Sequence, residues 1–190
     1  ELLGFIPKAI SNFTRNVEML FNKKRDLLIV VGGGSLSPEL YDHPHTDKLQ
    51  TNRDRMEEQV IHYCVAHGIP IIATCRGMQY INVMFGGKLW YHPVLQTERT
   101  SGVDHQVWLV KENRNIWVNN YHKDCIFEDG LASCFEPLAV DRENQVIEAF
   151  VSDEMKILAL QWHPERRFET ANAYEETRKI VLDFIQKHVK

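Results

Sequence analysis

The sequence predicts an α/β domain: a parallel strand–helix–strand unit, then a smaller mixed β section and a closing helix. Three observations predict it. Leu27–Val31 and Ile69–Ala73 are short continuous apolar runs, as expected of strands buried on both faces. A stretch with helical spacing separates them, and a second follows. Each run ends in a distinctive loop, Gly32-Gly33-Gly34-Ser35 after the first and Cys75-Arg76-Gly77 after the second.

In chain order, Leu2–Ile10 is apolar and broken by Pro7, which suits a short strand or connector. Ser11-Asn12-Phe13 is placed to cap a helix running to about Lys23, with Val17, Leu20 and Phe21 on one face. Leu27–Val31 is the first buried strand. Its glycine loop has two readings, a loose turn or backbone N–H groups brought close to a ligand, as in an oxyanion hole. A phosphate loop is disfavoured, because the Gly-x-Gly-x-x-Gly spacing and the terminal Gly-Lys-Ser/Thr are absent.

Residues 35–50 form a polar loop with His43-Pro44-His45-Thr46-Asp47. No fourth ligand accompanies these donors, so a solvated loop is expected and no metal or cofactor. Thr51 or Asn52 starts a helix to about His67, with Met56, Val60, Ile61 and Cys64 inward and Gly68 as its cap. After Ile69–Ala73, the residues Met78, Ile81, Val83 and Met84 recur at helical spacing until Gly86-Gly87. This order makes a right-handed βαβ unit with both loops at the carboxyl ends of parallel strands, where open α/β sheets build sites.

Short strands are expected at Lys88–Tyr91, His105–Lys111 and Asn115–Val118. Asn119-Asn120-Tyr121-His122 interrupts with polar groups, and Ile126–Leu131 is a connector. Phe135–Val140, Val146–Val151 and Ile157–Gln161 follow as strands, joined by polar turns. Pro137 argues against the first of these as a strand more than anything does against the other two. Ala171–Val189 closes the chain as an amphipathic helix, with Ile180, Val181, Phe184 and Ile185 inward.

The 190 residues suit one globular domain over 1–190, and no interdomain linker or repeat is visible. The net charge of −4 carries no basic stripe, so nucleic acid is not an implied partner. No run is apolar enough to span a bilayer and no signal peptide opens the chain, so no membrane is expected. Four cysteines without a pairing pattern fit reduced thiols in a cytoplasm.

Cys75 sits where a strand turns abruptly into a helix, and Gly77 lets that turn be tight. Free N–H groups at the helix start and the charge of Arg76 are expected to favour a thiolate. A packed core cysteine is the competing reading. Farther on, Gln161-Trp162-His163-Pro164-Glu165 follows the last strand. Pro164 holds His163 extended, and Glu165 is close enough to return to the imidazole. A nucleophile, a base and a carboxylate that orients the base would then meet at one sheet edge.

Cys75-Arg76-Gly77-Met78-Gln79, Gly32-Gly33-Gly34 and His163-Pro164-Glu165, in that order, resemble class I glutamine amidotransferases. Within them the chain is most similar to the γ-glutamyl hydrolase branch. Gly68–Leu89 resembles bacterial γ-glutamyl-γ-aminobutyrate hydrolases, and γ-glutamyl-CDP-amidate hydrolases of capsule biosynthesis belong to the same group.

The resemblance implies a doubly wound, mostly parallel sheet with helices on both faces, a flavodoxin-like core. It implies a Cys75-His163-Glu165 triad, with an oxyanion hole from the N–H groups of Gly33 or Gly34 and of Arg76. It places substrate contacts at Gln79, Asn119, Asn120 and Tyr121, although many members carry Ser where Asn120 stands. The implied reaction cleaves a γ-glutamyl amide of a small molecule through a thioester. The alternative is a glutaminase subunit feeding ammonia to a separate synthase. A homodimer is left open. The family begins with a further strand and helix, so this chain, opening at Glu1, is expected to lack part of that leader.

Overall fold

The two apolar runs lie side by side in one seven-stranded sheet of a computed structural model that describes residues 5–22, 24–37, 40, 51–91 and 102–189. In chain order the strands are β1 (Leu28–Val30), β2 (Ile71–Thr74), β3 (Trp90–Tyr91), β4 (Asp104–Leu109), β5 (Arg114–Asn119), β6 (Asp124–Cys125), β7 (Glu136–Asp141), β8 (Val146–Ser152) and β9 (Ile157–Leu160). The helices are α1 (Thr51–Ala66), α2 (Arg76–Met84) and α3 (Ala173–His188). The sheet order is β1-β2-β9-β8-β7-β4-β5, and β3 pairs separately with β6.

β1, β2 and β9 are parallel neighbours, with Ile29 opposite Ile72 and Thr74 opposite Leu160. From β9 outward the pairings are antiparallel. The mixed section expected beside the parallel core is therefore a continuation of the same sheet.

The period-2 alternation of the strands divides the core. Ile71, Ala73, Ile157 and Ala159 face α1 and α2, in a cluster with Met56, Val60, Ile61, Met78 and Ile81. Ile72, Leu158 and Leu160 face the other way, against Trp162 and Val181 and Phe184 of α3. Helices thus cover both faces, as the doubly wound fold requires. On β1, Ile29 stays 52% exposed at the edge of the described sheet.

Over the described residues 11–22, the helix expected from Ser11 to about Lys23 is not formed. Only the short 3-10 turn Val17–Met19 appears there. Polar side chains compete locally: Ser11 Oγ accepts from the Phe13 N–H at 3.2 Å, and the Asn22 N–H donates to Asp26 Oδ2 at 2.7 Å. Val17 is buried in the core with Leu20 and Phe21 against it, while Phe13 is 79% exposed, so the segment docks through its second half as a turn and not as a helix. β7 begins at Glu136, and its register shifts between Pro137 and Ala139, a bulge that accommodates the missing proline N–H. His43, His45, Asp47 and most of the loop before Val103 lie outside the described residues.

Candidate active site

The carboxyl ends of β1, β2 and β9 are adjacent, and each supplies one part of the site. β1 runs into Gly32-Gly33-Gly34, β2 into Cys75, and β9 into Gln161-Trp162-His163.

Cys75 occupies the elbow between β2 and α2 with φ 51° and ψ −113°, a strained conformation for a residue with a side chain. The surroundings impose it. Its N–H donates to Leu160 O at 2.8 Å, and its own carbonyl accepts the Gln79 N–H at 3.2 Å. Gly77 permits the close packing, because a Cβ there would lie 2.3 Å from Val30 O. Burial pushes the Cys75 thiol up to about 11, against opposing pulls from the Arg76 N–H and the Arg166 charge. This corrects the expectation of a resting thiolate: desolvation outweighs the helix start.

Arg76 is the second correction. Its guanidinium is buried and points away from the sulfur, onto Asp54 and, at 2.5 Å, onto Glu57 of α1. Asp54 also accepts from Ser37 Oγ at 2.7 Å. Arg53 completes the cluster, donating to Glu57 and to the carbonyls of Val31 and Gly32. One ionic group from α1 therefore ties the glycine loop to the elbow. Arg76 keeps its backbone N–H on the sulfur.

His163 is buried, and its Nδ1 lies 2.6 Å from Glu165 Oε1. Burial raises the Glu165 carboxyl, but the His163 hydrogen bond leads the opposing effects that hold it below the usual range. Asn119 fixes the His163 backbone from both sides: its amide donates to His163 O at 2.9 Å, and its Oδ1 accepts the His163 N–H at 2.9 Å. Tyr121 packs edge-on against the imidazole, at 5.5 Å between centroids, and Arg166 lies over the Tyr121 ring.

Gly32 is where these parts meet. A Cβ on Gly32 would lie 2.6 Å from His163 Cε1, 3.3 Å from Nε2 and 3.5 Å from Cys75 Cβ. The cysteine and the imidazole thus converge over one glycine. The adjoining cleft, about 190 Å³, is lined by Gly33, Gly34, Cys75, Gln79, Tyr121 and Asp124 among others. Gln79 Nε2 donates to Asp124 O at 3.1 Å and to Gln161 Oε1 at 3.2 Å.

Of the expected site residues, Gly33, Gly34, Arg76, Gln79 and Tyr121 border the cleft beside Cys75. Asn119 turns its side chain to the His163 backbone, and Asn120 is buried. Sequence reasoning placed Gly32 in the glycine loop but missed its approach to His163, and it missed Arg53, Asp54 and Glu57. The last three carried a signal, since positions 53, 54 and 57 continue the buried stripe of α1 toward its start. Among the described residues, His105, Asp141 and Glu148 bring donor atoms within 4.8 Å of one another. Asp141 already accepts from the Glu143 and Asn144 N–H groups and from the Asn144 side chain, so it serves its own turn.

A family model described as Peptidase C26 matches residues 15–165. A glutamine amidotransferase-like protein of Lactococcus lactis, YvdE, is 32% identical over 165 residues, covering 76% of this chain and 68% of that protein. The gamma-glutamyl-CDP-amidate hydrolase of Campylobacter jejuni is 31% identical over 168 residues, covering 85% and 76%. A glutamine amidotransferase crystal structure from Thermotoga maritima superposes with a TM-score of 0.54 at 18% identity, covering 84% of this chain and 64% of that one. The chain spans about two thirds of the length of the curated relatives YvdE and NtpR.

Proposed function

Because the chain belongs to the Peptidase C26 family, a class I glutamine amidotransferase-like group, we propose that it is a cysteine hydrolase of γ-glutamyl amides. The observation that carries this reading is the convergence of Cys75 and the Glu165-bound His163 over Gly32.

Cys75 starts as a thiol. His163, oriented through Nδ1 by Glu165, takes the thiol proton as sulfur attacks the γ-carbonyl. The carbonyl oxygen becomes an anion, which the N–H of Arg76 and of Gly33 or Gly34 receive. One such donor contributes about 3 kcal/mol to the transition state. The C–N bond breaks, His163 returns its proton to the departing amine, and a γ-glutamyl thioester remains on Cys75. Water, losing a proton to His163, adds to the thioester and releases glutamate and the thiol. Gln79, with Tyr121 and the Asn119–Asn120 backbone, binds the amino-acid end.

The relative named as a gamma-glutamyl-CDP-amidate hydrolase favours a small conjugate with an anionic amine as substrate. A γ-glutamyl-γ-aminobutyrate-type conjugate has the same character. A second reading, a glutaminase subunit serving a separate synthase, is favoured by the relatives named as glutamine amidotransferases or amidotransferase-like. The deciding test is glutamate release by the purified protein from a panel of γ-glutamyl conjugates and from glutamine. Turnover of a conjugate without any partner supports the hydrolase. Glutamine turnover that needs an added synthase, with no conjugate cleaved, rejects it.

A further inference from the structure

Beneath the cleft lies a buried charged group that the reaction above does not use. Glu148, in the middle of β8, is 0% exposed. His105 Nε2 from β4 and His122 Nε2 both approach its Oε1, at 3.3 and 3.4 Å. Both contacts are at ion-pair distance without hydrogen-bond alignment, so the carboxylate acts on the two rings through its charge. Burial would raise the Glu148 carboxyl, but the charges of His122 and His105 hold it well below the usual range.

His122 has a second acceptor. Its Nδ1 lies 3.0 Å from Asp124 O, and a backbone carbonyl cannot donate. Both ring nitrogens of His122 therefore face acceptors. The same Asp124 carbonyl receives the Gln79 amide at 3.1 Å. Among the described residues, Asp141 of β7 lies close to His105 and Glu148, and Asp124 and Lys123 flank His122 at the cleft wall.

We propose that Glu148 holds His122 as a doubly protonated imidazolium, whose Nδ1–H fixes the Asp124 carbonyl and through it the orientation of Gln79 in the cleft. Glu148 and His122 are thus positioning residues for the amino-acid end of the substrate. The kinetic consequence rests on the hydrolase reading; the protonation state does not.

Two measurements test it. With ¹⁵N-labelled histidine in the full chain, NMR at neutral pH is expected to find protons on both ring nitrogens of His122, the signal being assigned by its loss in His122→Asn. A lone pair on either nitrogen overturns the proposal. Glu148→Gln, which removes the anion at constant size, is expected to raise KM for a γ-glutamyl conjugate about tenfold or more, with a smaller change in kcat, as loss of a charged hydrogen bond in binding predicts. Glu148→Asp is expected to recover part of that loss. A folded Glu148→Gln protein with unchanged KM also overturns it. If no conjugate is turned over by the wild type, the hydrolase reading fails, and the NMR result alone decides the imidazolium.

Discussion

Gly32 shows how much a single hydrogen can decide. A methyl group there meets His163 Cε1 at 2.6 Å, and the imidazole cannot retreat freely because Asn119 and Glu165 hold it. Gly32→Ala is therefore expected to displace the base and lower kcat/KM about 100-fold or more, while near-UV circular dichroism stays native. A loss below tenfold would mean that His163 has room to move. Cys75 carries a second prediction at this scale. Its thiol lies near 11, and the Arg166 charge is one of the effects pulling it down. Alkylation of the free protein by iodoacetamide should keep rising through pH 9 without a neutral plateau. Arg166→Gln should move that profile to still higher pH, since a charge that favours the thiolate is gone.

At the scale of elements, α1 does more than cover the sheet. Its first turns place Arg53, Asp54 and Glu57 around Arg76, so the helix pins the glycine loop and the elbow together. Arg76→Met leaves Asp54 buried without its cation. The expected cost is about 3–5 kcal/mol in urea denaturation. The folded fraction should keep most of its turnover, because the backbone N–H remains. The strands around this cluster were legible in the sequence, as continuous apolar runs admit few alternatives to a buried strand. The elbow was legible as well, since a strand, Cys75 and Gly77 follow one another within a few residues. Glu165 was within reach because two residues separate it from His163. Partners distant in sequence were not legible. Asn119 reaches His163 across 44 residues and Arg76 reaches Asp54 across 22, and such choices are made by tertiary packing. The helix expected from Ser11 failed for a different reason: its apolar residues Val17, Leu20 and Phe21 do reach the core, but side chains such as Ser11 and Asp26 take up backbone N–H groups at its two ends.

Across the whole molecule, the buried thiols set an alkaline limit. Burial pushes Cys64 and Cys125 up to about 12 and Cys75 to about 11, from 9.0. A raised folded-state value means the native protein holds the proton more tightly than the unfolded chain. The stabilisation is complete below about pH 9 and is lost as pH rises toward 11–12. The slope approaches about 1.4 kcal/mol per pH unit for each thiol. Thermal melts between pH 8 and 11 should show this decline, and substituting Cys64 by Ala should reduce the slope whatever its effect at neutral pH. The fold joins these scales: three parallel strands deliver a strained cysteine, a glycine loop and a carboxylate-bound histidine to one edge. The most direct test of that convergence is intact-mass spectrometry of the protein, acid-quenched during turnover of a γ-glutamyl conjugate. The account predicts a γ-glutamyl adduct that maps to Cys75 and vanishes in Cys75→Ser. Sustained glutamate release by Cys75→Ser, with no adduct on the wild type, would contradict it.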